Sequence, residues 1–135
     1  MKTQARILGF LAAASAGHEI NGLSDGALTL TSYRYPFCAG GDLNRENSIR
    51  SAMTLVPFNP ELNRMRLIVK NGAAKNYKIV WGDTSRSYTA DQLAAGINLA
   101  EDFVVNPFSK PFQKLDEAVA AKQAYETRQI KVLFH

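Results

Sequence analysis

The residues of this chain that could do chemistry are few and widely separated. His18 is followed by Glu19, but no second histidine stands at the helical spacing of a zinc-binding pair. The candidate metal ligands come from distant parts of the sequence: His18, Glu19, Cys38, Asp42 and His135. A loop histidine at position 18 and a chain-end histidine at position 135 are the favoured interpretations. No cofactor is therefore expected, and a divalent metal such as zinc is implied only if these residues form a hydrolytic site.

Cys38 is the single cysteine, and it stands between Phe37 and Ala39 just beyond a predicted strand. Only Arg34 is near enough in sequence to stabilise a thiolate, so a buried structural thiol is favoured over a reactive one. One cysteine excludes a disulfide-stapled mini-protein, and a chain of 135 residues can bury a core without such staples.

A second candidate is the run Trp81-Gly82-Asp83-Thr84-Ser85, which looks like a serine nucleophile motif. Strand patterns on both sides predict a hairpin turn instead, and no histidine is placed in the sequence to activate Ser85. Asp42, Glu46 and Asp83 could pair as acid and base, but carboxylates in polar turns are usually solvated. The residue types alone therefore predict no catalytic site.

Composition and charge limit the class of protein. Hydrophobic residues make up 46% and charged residues 21%, which is typical of a globular domain, and the length favours a single domain over residues 1–135. The net charge is +4, from basic residues that are scattered along the sequence, so binding to nucleic acid is not expected. No apolar run approaches the ~20 residues that span a bilayer.

The N-terminus permits two interpretations. Lys2 and Arg6 flank the start of an apolar stretch that ends in the small-x-small pattern Ala14-Ser15-Ala16, as in a secretory leader. The other interpretation is a short helix from Thr3 to Ala14, with Gly17 as its C-cap. The helix is favoured because the apolar stretch is short for a leader. Localisation is left open, with the cytoplasm favoured over export.

The middle of the sequence is typical of β structure. Ser24-Asp25-Gly26 is a turn signal ahead of an alternating run of β-forming residues. The predicted strands are Ala27–Tyr35, Ala52–Phe58, Asn63–Lys70, Tyr77–Trp81 and Arg86–Thr89.

Helical signals follow. Thr89 and Gln92 have the spacing of a capping box, and Gly96 ends the short helix that this box opens. The strongest helix runs from Lys114 to about Phe134, without an internal Gly or Pro. We expect it to dock on the sheet through one set of residues: Ala118, Ala121, Tyr125, Ile130, Leu133 and Phe134. The predicted fold is α+β, with an antiparallel sheet or sandwich core, a short N-terminal helix and a long C-terminal helix.

Several runs of the sequence resemble one family when they are taken in order. They are Arg34-Tyr35-Pro36-Phe37-Cys38, Val56-Pro57-Phe58-Asn59-Pro60-Glu61-Leu62-Asn63-Arg64, Trp81 to Ser85, Tyr88 to Ala100, Asn106-Pro107-Phe108-Ser109 and residues 124–131. Together they are similar to the β-rich C-terminal region of bacterial SGNH/GDSL-type hydrolases, esterases that are common in environmental bacteria. The resemblance covers residues 18–135.

The resemblance also shows what this sequence lacks. The family's chemistry lies upstream, in a Gly-Asp-Ser block with the nucleophile, Gly and Asn oxyanion donors, and an Asp-x-x-His block with the base. His18 follows Ser15 at that spacing and His135 follows Val132, so no Asp-x-x-His occurs here. Gly82-Asp83-Thr84 departs from Gly-Asp-Ser at the nucleophile. No catalytic residue is therefore carried over, and whether this chain is an enzyme is left open.

Three functions are weighed on this basis. The first is an accessory or oligomerisation module of an SGNH-type ester hydrolase, without its own Ser–His site. The second is a metal-assisted ester or phosphoester hydrolase that uses some of the candidate ligands named above. The third is a carbohydrate- or ligand-binding β module with four aromatic residues as stacking surfaces: Trp81, Tyr33, Tyr35 and Tyr88.

The first function implies a partner, which is either a second copy of the chain or the missing hydrolase half. A surface that met another domain should remain apolar. The expected interface of a homodimer is the N-terminal apolar set Ile7, Leu8, Phe10 and Leu11.

Overall fold

A computed structural model describes residues 3–7, 10–46 and 48–134 of the chain. These residues form two compact units, residues 1–35 and residues 36–135, and each unit is described by itself. The prediction of one domain over residues 1–135 stays a prediction.

The first unit consists of two antiparallel hairpins. Strands β1 (Thr3–Ile7) and β2 (Phe10–Ala14) form one, and β3 (His18–Ser24) and β4 (Ala27–Ser32) form the other. Asp25 and Gly26 join β3 to β4 with φ angles of 48° and 76°. Positive φ at both central residues is the requirement of a type I′ turn, which Asp-Gly meets at low steric cost. The turn signal in the sequence is confirmed.

The predicted N-terminal helix is wrong. Residues 3–14 contain β1 and β2, which pair from Thr3 with Ala14 to Ile7 with Phe10. A short apolar run does not distinguish helix from strand by its periodicity, and an isolated helix of about three turns is marginal in water. Pairing between the two halves of the run satisfies the backbone groups that the helix would have bonded internally.

The second unit mixes short helices with strand pairs. Its elements in order are α1 (Ile49–Ala52), α2 (Phe58–Glu61), β5 (Arg66–Leu67), β6 (Asn76–Trp81), β7 (Thr84–Thr89), α3 (Ala90–Ala95), β8 (Ile97–Asn98), α4 (Leu99–Asp102) and α5 (Ser109–Leu133). β6 pairs with β7 in a hairpin, and β5 pairs with β8, both antiparallel. The α+β class and the long C-terminal helix are confirmed.

The strands differ from the predicted sheet or sandwich in their assembly. In the described residues they form four separate two-stranded sheets. The predicted strand Ala52–Phe58 is replaced by the end of α1, turns and the start of α2, because Ser48 caps α1 and Pro57 precedes α2. Of the predicted strand Asn63–Lys70, only β5 pairs.

The core of the second unit surrounds β7, α3 and α4. Its buried hydrophobic residues are Tyr88, Leu93, Ile97 and Phe103. Leu93 and Phe103 are 0% exposed. The hairpin β6–β7 covers one side of this cluster through Tyr77, Ile79 and Trp81.

Local signals in the sequence place α3 against this core. The Thr89 hydroxyl accepts a hydrogen bond from the Gln92 N–H, and the Gln92 side chain accepts one from the Thr89 N–H, so the predicted capping box is confirmed. Gly96 ends the helix with φ 95°, as expected for a C-cap glycine. The box and the glycine together set the bounds of the short helix, of six residues, that carries Leu93 into the core.

Candidate functional site

The residues proposed as metal ligands are divided between the two units of the chain. His18 and Glu19 belong to the first unit, on opposite faces of β3, and Cys38 and Asp42 belong to the second. His135 lies outside the described residues. Within residues 3–7, 10–46 and 48–134, no group of three or more His, Cys, Asp or Glu side chains is arranged to hold a metal ion.

His18 has a local structural role. Its Nδ1 lies 2.8 Å from the Ser32 hydroxyl, across the hairpin from β3 to β4. Ser32 donates its single proton to the carbonyl of Arg34. The second partner of the same hydroxyl is His18 Nδ1. This bond joins the start of β3 to the end of β4.

Cys38 is half-buried and is held by an asparagine. The thiol lies 3.5 Å from the carbonyl of Pro36 and 3.5 Å from Asn106 Oδ1, and Asn106 Nδ2 lies 3.4 Å from the sulfur. A cavity of about 30 Å³ adjoins these groups. A cavity of that size holds only a few water molecules.

Asp42 shapes its own loop. Its carboxylate accepts a hydrogen bond from the Asn44 N–H at 3.0 Å, and its carbonyl accepts one from the Ser48 hydroxyl at 2.6 Å. The loop borders an open depression of about 690 Å³ that Arg45 and Asp116 also line. Charges of both signs border the depression, from Arg45 and from Asp42 and Asp116.

The structure places Ser85 in a strand rather than at a nucleophile site. It lies on β7, opposite Val80 of β6, and its side chain is exposed. Gly82 makes the adjoining turn with φ 62°, and the Thr84 hydroxyl donates to the carbonyl of Val105 at 2.9 Å. Residues 36–134, which include the whole described part of its unit, contain no histidine that could act as the base for Ser85.

The aromatic residues proposed as a stacking surface are divided between core and surface. Tyr88 is buried, and its hydroxyl donates to Asp102 Oδ2 at 2.9 Å. Burial, together with the hydrogen bond and the charge of Asp102, raises the pKa of Tyr88 to about 12. Trp81 packs edge-on against Phe103 and Phe108, with ring centroids 5.9 Å apart in both pairs. These two rings are part of the packing of the second unit, whereas Tyr33 and Tyr35 are exposed on the first.

Three asparagines that the sequence analysis did not single out hold the second unit together. Asn63 accepts from the N–H of Phe37 at 2.8 Å and donates to its carbonyl at 3.1 Å. Asn98 donates to the carbonyls of Asn59 and Asn63 and accepts from the N–H of Met65. Asn106 donates to the Phe103 carbonyl at 2.9 Å.

These amide groups replace the backbone pairing that a continuous sheet would provide. Asn63 and Asn106 are both buried, and each is hydrogen-bonded on both sides of its amide. The Asn-Pro pairs at 59–60 and 106–107 are the only sequence signal near them, and that signal indicates turns rather than buried amides.

The C-terminal helix is the feature of the second unit that its packing leaves unexplained. α5 is anchored at its first turn by Phe112, whose ring centroid lies 4.8 Å from that of Phe37. Every described side chain from Gln113 to Phe134 is exposed. The prediction that the helix docks on the sheet through Ala118, Tyr125 and their neighbours is therefore wrong. The strands it was expected to cover form a narrow hairpin whose apolar face is already taken by α3 and α4.

One face of α5 combines exposed apolar residues with a central charged pair. We call this face the α5 seam, and it consists of Leu115, Val119, Lys122, Glu126, Ile130 and Leu133. Steps of three or four residues place all six in a stripe about 80° wide, since 3.6 residues make one turn. Lys122 and Glu126 form a salt bridge at the middle of the stripe.

Comparisons with family models, with curated proteins and with solved structures find no match to this chain. No helix of the described residues has the length and apolar character to cross a membrane.

Proposed function

We propose that this chain is an accessory and oligomerisation module that resembles the C-terminal region of an SGNH-type ester hydrolase and has no Ser–His site of its own. The observation that supports the proposal most directly is the α5 seam. An exposed apolar stripe on a helix is a common form of binding surface for another helix. A module that works by association needs such a face and does not need a catalytic constellation.

The arrangement of the polar residues supports the same proposal. A serine hydrolase requires a nucleophile and a base in hydrogen-bond reach, together with oxyanion donors. Ser85 lies in a hairpin strand without a histidine in its described unit, and His18 is bonded to Ser32. The chemistry of the resembled family would then come from the hydrolase half that carries the Gly-Asp-Ser and Asp-x-x-His blocks.

The catalytic part of the proposal is tested on the purified chain with p-nitrophenyl acetate and p-nitrophenyl butyrate. We expect ester hydrolysis at the rate of a buffer blank, with no change in Ser85→Ala or after treatment with a chelator. Turnover that falls several hundred-fold in Ser85→Ala, with the circular dichroism spectrum intact, would establish a nucleophile and overturn the proposal. Chelator-sensitive turnover with stoichiometric zinc would overturn it in favour of metal-assisted hydrolysis.

The partner part is tested in the genome. We expect the reading frame that adjoins the Met1 codon upstream to encode a Gly-Asp-Ser block followed by an Asp-x-x-His block. If no such blocks occur in that neighbourhood, the link to an SGNH hydrolase is refuted, whatever the assembly state of the chain.

A further inference from the structure

The α5 seam is apolar at both ends and charged at its centre, and this arrangement indicates which partner fits it. Its apolar residues lie in two pairs, Leu115 with Val119 and Ile130 with Leu133, one on each side of the salt bridge. Their side chains are 61%, 43%, 57% and 77% exposed, in chain order. The seam therefore requires a partner that is apolar at both ends and carries opposite charges at its centre.

We propose that the α5 seam binds the same seam of a second copy of this chain, with the two helices antiparallel. In this arrangement Leu115 lies opposite Leu133 of the second copy, and Val119 lies opposite its Ile130. Every pair occurs twice because the contact is isologous about a twofold axis, which passes near residue 124. The inference rests on the proposed function, since it names the partner of the association module.

The charges favour this orientation over a parallel one. In the antiparallel pair, Lys122 lies opposite Glu126 of the second copy, and the two intrachain salt bridges join into a ring of four charges with alternating sign. A parallel pair in register would place Lys122 opposite Lys122 and Glu126 opposite Glu126. Like charges in such positions are destabilising, so the charged centre acts against the parallel alternative.

The length of the seam is sufficient for the contact. From Leu115 to Leu133 the helix rises by about 27 Å at 1.5 Å per residue, or roughly five turns. Four apolar side chains from each copy then leave water on the face of a helix that its own unit does not cover. The anchor at Phe112 holds the start of α5 against Phe37, so the helix is presented to the partner from a fixed point.

Sedimentation equilibrium of the full chain over a series of micromolar concentrations tests the association. We expect a mass of twice that of one chain. Val119→Glu introduces a charge into the apolar part of the seam in both copies, and we expect it to weaken association roughly a hundredfold. The matched control is Ala124→Glu, on the opposite face of α5, which should keep the wild-type mass.

Charge reversal at the centre tests the register. Lys122→Glu alone makes the centre entirely acidic and should weaken the dimer. The double variant with Lys122→Glu and Glu126→Lys recreates the alternating ring and should restore it. Circular dichroism on each variant separates loss of the helix from loss of association.

Disulfide trapping tests the orientation, in a Cys38→Ser background whose unchanged mass is measured first. Leu115→Cys and Leu133→Cys should cross-link with each other when the two variants are mixed, and neither should cross-link with itself. Self-cross-linking of each variant would show a parallel pair and overturn the antiparallel arrangement.

A monomeric wild-type chain at all concentrations in sedimentation equilibrium would overturn the inference altogether. That result would remove self-association from the proposed function and would leave its accessory role, which ester hydrolysis and the upstream reading frame test separately.

Discussion

The core around Phe103 and the α5 seam have similar residue types and opposite environments. Leucine, isoleucine and aromatic side chains in the core are covered by β6, β7, α3 and α4 within about forty residues of chain. The leucines and isoleucine of the seam are covered by nothing in the described part of the second unit. An apolar pattern becomes a core only where neighbouring elements can fold back over it. The same pattern on a helix that its unit does not cover stays exposed, and it is there that we propose a surface for another chain.

The largest expected effect is a loss of unfolding free energy when a residue of the core is truncated. Phe103→Ala should lower the free energy of unfolding by about 3–5 kcal/mol, because it removes a fully buried ring and leaves a cavity. Phe134→Ala is the matched control at the exposed end of α5, and it should change the unfolding free energy by less than about 0.5 kcal/mol. Urea denaturation measures both, and equal effects would refute the distinction between the core and the exposed end of α5.

The buried amides give the next largest effect. Asn63→Ala leaves the N–H and the carbonyl of Phe37 without their partners, so we expect a loss of about 1–3 kcal/mol in the free energy of unfolding. Asn44→Ala, at an exposed loop position, is the control and should be nearly neutral. If Asn63→Ala leaves the free energy of unfolding unchanged, water replaces the amide in the variant, and water then has access to this part of the unit.

A smaller effect is expected at Tyr88, and it depends on pH. Tyr88→Phe removes the hydrogen bond to Asp102 and should lower the unfolding free energy by about 1 kcal/mol near neutral pH. The raised pKa adds a second signature. Stability that comes from neutral Tyr88 is fully present below the unfolded-state pKa of about 10 and is lost as the pH rises through about 12.

We therefore expect the wild-type chain to lose part of its stability between about pH 10 and pH 12, and Tyr88→Phe to lose less over the same range. Tyr125→Phe, on the exposed face of α5, is the matched control and should follow the wild-type curve. Identical alkaline curves for all three proteins would contradict the assignment of the shift to Tyr88.

The smallest effect is expected at the centre of the seam. Lys122→Ala removes a salt bridge between two exposed side chains, and such pairs contribute at most about 0.5 kcal/mol to a helix. Thermal unfolding of the second unit should therefore be unchanged at concentrations where the chain is monomeric. A large loss of monomer stability would show that α5 packs against its own unit, and the comparison with the core would fail.

The fold could be predicted from the sequence wherever one or two residues decide a local conformation. Asp25-Gly26 was expected to make a hairpin turn, and Thr89 with Gln92 was expected to open α3. In both cases the side chain or the missing Cβ acts on its own backbone within four residues. The long helix is of the same kind, because its residues favour helix individually and contain no breaker beyond Pro111 in the first turn.

The candidate site could not be predicted in the same way. Asn63 and Phe37 are separated by 26 residues, and Cys38 and Asn106 by 68, so their contacts depend on how distant segments meet. The docking face assigned to α5 was wrong for the same reason, since amphipathic periodicity shows which residues are apolar but not what covers them. The N-terminal set Ile7, Leu8, Phe10 and Leu11 stays a prediction as a dimer interface, because its side chains lie outside the described residues.

The sequence by itself determined the Asp25-Gly26 turn, the capping box of α3 and the body of α5 from Lys114 onward, because these depend on interactions between residues that are near neighbours in the chain. Only the tertiary structure decided that residues 3–14 pair as strands, that asparagine amides join segments far apart, and that α5 is exposed from Gln113 onward. The physical reason is that burial and strand pairing are properties of two surfaces in contact. A pattern within one segment specifies only one of those surfaces.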